Sequence, residues 1–174
     1  LIAFYSKGLD MTNVIFRFLK PNSFVGRLIS WRLGEPWSHV CIIIDDAAYS
    51  AQIPWTVMLP LSDKSVAVPP RRAFDLQLTL HHSDIEKLKA WCESKVGSPY
   101  DFLSIIGWFF GWSWLQNKRN SYCFEYCFQA LVYMGWIKEE DKLIKGNKLI
   151  EDIESVIEML EITFPCEVHI CKYN

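Results

Sequence analysis

An α+β domain is predicted by three observations. β-branched and alternating apolar runs fill the first half of the chain, helical apolar spacing takes over after Ser83, and no linker or repeat divides the two. Leu1–Tyr5 reads as a short buried strand. Asn22 or Ser23 can cap a helix carrying Phe24, Val25, Leu28 and Ile29, which Gly34, Glu35 and Pro36 then break. Val40–Ile44 is continuous and β-branched, the pattern of a central strand. Asp45-Asp46 turns the chain, and Ala48–Ile53 returns as a hairpin partner. Val57–Leu61 and Val66–Val68 suggest further strands, and Phe74–Leu80 alternates.

Ser83-Asp84-Ile85-Glu86 has the form of a capping box, opening a helix through Ile85, Leu88, Cys92 and Val96 that Gly97 stops. A second helix of this half runs from about Asp101 to Trp112. A third starts at Asn120 or Ser121 and passes through Phe124, Cys127, Phe128, Leu131 and Val132 to Gly135. Asn147–Leu160 places Leu149, Ile150, Ile153, Val156, Ile157 and Leu160 on one stripe, with acids opposite. A last strand is expected at Cys166–Cys171. One domain, 1–174, accounts for the whole chain, whose 174 residues suffice for a real core.

Composition narrows the partners. Half the residues are hydrophobic and the formal net charge is −2, so neither disorder nor a nucleic-acid partner is expected, and Lys118-Arg119 reads as a solvated pair. The apolar stretch Ile105–Leu115 is shorter than the roughly 20 residues that span a bilayer. It suits a core and lid loop, with peripheral membrane contact as the other reading. No signal peptide is evident, and a start at Leu1 instead of Met points to a segment missing ahead of it. Six cysteines without the dense spacing of a secreted scaffold favour a reducing, cytoplasmic setting, with Cys41 and Cys92 as small buried hydrophobes.

Cys123 stands in the first turn of its helix, where unpaired N–H groups and the helix dipole favour a thiolate. Its spacing from Cys127, Leu131 and Met134 puts all four on one face, so Cys123 is either a nucleophile aimed at the sheet or a core residue. His39 opens the Val40–Ile44 strand and is the candidate base. His81 and His82 look exposed, and His169 is a lone histidine of the last strand. Cys123, Cys127, Cys166, His169 and Cys171 lack the tight CxxC pairs of structural zinc sites, so no metal or other cofactor is expected. With the hairpin turn at Asp45–Ala48, Ile43 faces Ser50 and Cys41 faces Gln52. Ser50 and Gln52 then share the face of His39, where either can orient the imidazole.

Pro36-Trp37-Ser38-His39-Val40, Gly97-Ser98-Pro99-Tyr100-Asp101-Phe102 and Tyr122-Cys123-Phe124-Glu125 together resemble the signature of circularly permuted NlpC-like papain-fold cysteine hydrolases, of the YiiX/YaeF type. The resemblance implies a permuted papain-like domain, with a small antiparallel sheet or partial barrel packed with helices. It also implies a thiol hydrolase or acyltransferase with Cys123 as nucleophile, His39 as base and Ser50 as the orienting residue. Tyr100, Trp37 and Phe124 would line the site with Gln52. Phe124 replaces the family's small Ser after the Cys, and Ser50-Ala51 replaces its Glu-Ala. The implied substrate is a small peptide or peptidoglycan fragment cleaved at an amide. The alternatives are an acyl-lipid, as in thioesterase or acyltransferase relatives, and a silent module that binds a peptide or amino acid.

Overall fold

The computed structural model of the chain describes residues 11–110, 121–139 and 144–163. Its elements are strands β1 (Met11–Leu19), β2 (His39–Ile44), β3 (Ala47–Ala51), β4 (Thr56–Pro60) and β5 (Ala73–His81), and helices α1 (Phe24–Leu33), α2 (His82–Lys95), α3 (Phe102–Phe110), α4 (Cys123–Tyr133) and α5 (Gly146–Thr163). The α+β class holds: one antiparallel sheet in the order β4-β3-β2-β1-β5 packs against helices. No helix among the described residues is long and apolar enough to cross a membrane.

Alternation builds the two sides of this sheet. Val14, Phe16 and Phe18 of β1, Val40, Ile42 and Ile44 of β2, and Leu76, Leu78 and Leu80 of β5 bury one face against α2, α4 and α5. The intervening residues Cys41, Ile43 and Ala48 form a smaller cluster with Val66 on the other face. Arg17 also lies off the main core, paired with Asp75 on the neighbouring strand (Nε–Oδ1 2.9 Å). β1 is a strand the sequence reading passed over, although its Val14, Phe16 and Phe18 have the required period of two.

The hairpin register also differs from expectation. A two-residue Asp45-Asp46 turn, with Asp45 in the left-handed region (φ 52°), places Ile43 opposite Ala48 and Ile44 opposite Ala47. The pairing is two residues tighter than predicted. An even shift returns every side chain to its original face, so the expected sharing of a face by His39 and Ser50 survives.

Other boundaries move. Val66–Val68 is a turn, not a strand: the N–H groups of Val66 and Ala67 both donate to the Asp63 carbonyl (2.9 and 2.7 Å), and the Asp63 carboxylate accepts from the Ser65 N–H (2.8 Å). α2 starts at His82, so Ser83 lies inside the first turn and makes no cap; Val96 is exposed beyond its end. The N-cap of α4 is Tyr122, not Asn120 or Ser121, and the Ser121 hydroxyl instead donates to Gln129 (2.9 Å). Ser23 does cap α1, accepting from the Gly26 N–H (3.0 Å), but Phe24, Leu28 and Trp31 of that helix face outward. The expected strands Leu1–Tyr5 and Cys166–Cys171, with Cys166, His169 and Cys171, lie outside the described residues, as do Lys118 and Arg119.

Candidate active site

Three segments converge at one end of the sheet. The first is the loop into β2. Burial raises the Glu35 carboxyl, immediately before Pro36-Trp37-Ser38-His39, above its usual range, against the pull of the backbone N–H groups of Asn147 and Gly146 beside it at the start of α5. Gly146 is required by this approach, since a Cβ there would lie 2.9 Å from Glu35 Oε2 and 3.2 Å from both Phe124 and Trp37. The Ser38 N–H donates to the Leu19 carbonyl (3.0 Å), and His39 pairs with Leu19 as the first residue of β2.

The second segment carries Tyr100. The Gly97 N–H donates to the Thr56 carbonyl, the Thr56 N–H to the Ser98 carbonyl (both 2.8 Å) and the Tyr100 N–H to the Pro54 carbonyl (3.0 Å). On its other side Tyr100 makes a bridge with Ser121, two residues before Cys123. The third segment is the start of α4. There Cys123 occupies the first helical position, and the Tyr122 hydroxyl both accepts from the Ile144 N–H (2.8 Å) and donates to its carbonyl (3.0 Å).

His39 Nε2 stands 2.7 Å from Ser50 Oγ, and the Gln52 side-chain amide donates to the same oxygen at 3.3 Å. Ser50 is fully buried, and His39 is half-buried at the strand end. Loss of hydration lowers the imidazole to about 4, so the ring is neutral at pH 7. Of the two candidate orienters, Ser50 therefore touches the ring and Gln52 acts on Ser50.

Cys123 is 3% exposed. Burial pushes its thiol up to about 11, against the pull of the Val40, Phe124 and Cys123 backbone N–H groups and the Tyr100 hydroxyl around the sulfur. The expected thiolate-favouring environment is present as this nest of donors, but burial outweighs it. Burial, and then the neighbouring Cys123, also hold the half-buried Tyr100 phenol protonated. The sulfur thus adjoins the N–H of Val40, the residue after His39, yet among the described residues no hydrogen bond joins Cys123 to His39. Strand alternation explains the separation: Cys123 belongs to the helix-side core with Val40, whereas His39 shares the opposite face with Cys41 and Ser50. The two can meet around the end of β2 and not through the sheet.

A cleft of about 260 Å³ opens at this end, with His39, Gln52 and Tyr100 in its wall. Trp37 and Phe124 are not among its lining residues. Trp37 stacks on Phe74 (centroids 5.6 Å apart), and Phe124 is buried under α5 beside Gly146 instead of lining the site. Lys20, Asn22, Ser38, Ile53 and Arg72 line it as well. Sequence reading missed this wall because it missed β1, whose end delivers Lys20. Glu125, in the first turn of α4, is raised to about 7 by burial and then by Asp101, while the Tyr122 N–H it caps pulls it down. Among the described residues no group of three His, Cys, Asp or Glu could hold a metal ion. Comparison with protein-family models, curated proteins and solved structures finds no match to this chain.

Proposed function

We propose that the protein is a thiol hydrolase of the permuted papain-like kind that cleaves amide bonds through an acyl-enzyme on Cys123. The observation that carries this reading is the 2.7 Å bond between His39 Nε2 and a fully buried Ser50, at the wall of a cleft. A serine with no exposure that grips one ring nitrogen holds the plane of the imidazole, and its hydroxyl can donate to or accept from that nitrogen. With Nε2–H donating to Ser50, Nδ1 carries the lone pair that a base needs.

In this mechanism neutral His39 takes the thiol proton as Cys123 Sγ attacks the carbonyl carbon. The Cys123 N–H and the protonated Tyr100 hydroxyl beside it stabilise the developing oxyanion. The imidazolium then gives its proton to the departing amine. Water, activated by the restored neutral imidazole, releases the acid from the thioester.

A buried thiol held near 11, without a hydrogen bond to His39, supports a second reading, a silent module whose cleft only binds a peptide or amino acid. Incubation with peptidoglycan peptides and with acyl-lipids, followed by mass spectrometry, separates these readings. Hydrolysis of an amide is expected, with loss of product in Cys123→Ala. Release of acyl chains alone would move the assignment to a thioesterase, and no turnover of either, with Cys123 inert to iodoacetamide, would leave the binding module.

A further inference from the structure

We propose that the cleft holds an oxyanion of the substrate, a carboxylate or a phosphate, on Lys20 and Arg72. This rests on the amide-hydrolase reading and names the substrate class of that same site. The sheet sets the arrangement. Leu19 pairs with His39 on one side and with Ala73 on the other, so the next residues, Lys20 and Arg72, lie side by side beyond the strand ends. Adjacent strands are ~4.8 Å apart, which places the Lys20 backbone about one strand spacing from that of His39 and Arg72 about two. One extended residue spans ~3.5 Å, so an acidic group held there belongs one or two residues from the bond His39 serves.

Both cations are positioned by their surroundings. The Lys20 N–H donates to the Arg72 carbonyl (2.9 Å), and Arg72 Nη2 donates to the Lys20 carbonyl (3.3 Å). The Lys20 ammonium stands 6.0 Å from the Trp37 ring centroid, and the short helical turn Pro70–Arg72 fixes the approach of Arg72. Both residues line the cleft with His39, as do Asn22, Ser38 and Ser65, whose polar groups are neutral. No Asp or Glu is among the described residues that line it. Like charges as cross-strand neighbours repel, and a bound oxyanion turns that repulsion into two charge-assisted contacts.

Titration calorimetry at low ionic strength tests the subsite with N-acetylalanine, N-acetylalaninamide and glycerol 3-phosphate, on the wild type, Lys20→Met/Arg72→Met and the charge-retaining Lys20→Arg. Binding of N-acetylalanine or glycerol 3-phosphate but not of the uncharged amide is expected. Loss of charge-assisted hydrogen bonds should weaken it about tenfold or more in the double variant, and Lys20→Arg should keep it. N-acetylalanine alone would assign a peptide carboxylate, and glycerol 3-phosphate alone a lipid-type phosphate. Binding of neither, equal binding of the amide, or affinity that survives the double variant would overturn the subsite. None of these titrations involves the thiol. Iodoacetamide labelling of Cys123 in the same samples reports on the hydrolase reading separately.

Discussion

The two halves of the candidate site differ in how finished they are. On the sheet side, His39 is gripped by Ser50, Ser50 is backed by Gln52, and the ring borders an open cleft. On the helix side, Cys123 is surrounded by donors suited to a thiolate, yet burial keeps it a thiol with no bond to the base. On the proposed function, the base is set before substrate arrives and the nucleophile is not. In the proposed mechanism, activation is then a single proton transfer at the moment of attack, in place of a standing thiolate–imidazolium pair.

The largest effect that would break this contrast is on turnover. Cys123→Ala and His39→Ala should each lower kcat by on the order of 10³-fold or more, and the double variant should be little worse than either, because the two act as a unit. Additive losses, measured on the amide substrate identified as above, would mean that they do not cooperate.

The next effect is in pH. Because burial lowers His39 to about 4, the acid limb of the rate profile should fall near pH 4 and not near 6.5. Stability should move in the same direction. Between ~6.5 and 4 the unfolded chain binds a proton on this residue that the folded chain does not, so the stabilisation is complete above pH 6.5 and is lost as pH falls toward 4. His39→Ala should flatten that part of the Tm–pH curve, and equal slopes in the two proteins would contradict the lowered value.

A smaller effect sharpens the sheet side alone. Ser50→Ala should slow iodoacetamide labelling of Cys123 about tenfold through loss of one positioned hydrogen bond, and Gln52→Ala should slow it less. Ser50→Glu should lower the apparent pKa of that labelling, since a carboxylate stabilises an imidazolium as a hydroxyl cannot. A response to Gln52→Ala alone would reverse their roles.

The smallest expected effect is structural. A methyl at Gly146 meets the end of the Glu35 side chain, so Gly146→Ala should cost about 1 kcal/mol in chemical denaturation. Full retention of stability would show that the Glu35 side chain yields without cost.

Much of the sheet side was legible in the sequence because strand parity is robust. The predicted hairpin was wrong by two residues, yet the face assignment of His39 and Ser50 held, since a period of two forgives any even slip. The helix positions of Cys123 and of the α5 stripe were legible for the same kind of reason, a sustained apolar period. What no local pattern could reveal was depth. Whether Cys123 is a thiolate depends on water excluded by α4, the β2 backbone and Tyr100, which are far apart in sequence. β1 was missed although its alternation is plain, and with it went the cationic wall of the cleft. Val66 shows the reverse error: a β-branched pair suggested a strand, but Asp63 draws the local N–H groups into a turn.

The strand order has a consequence for local opening. β2 is third of five, flanked on both sides by paired strands, so its amides at Val40–Ile44 should exchange with solvent only when the whole domain unfolds. Cys123 instead sits in the first turn of a helix, outside the sheet ladder and held beside the Tyr122–Ile144 hydrogen bonds. In the proposed mechanism, release of those bonds would expose the sulfur while the imidazole stays at its station, so that the thiol moves to the base.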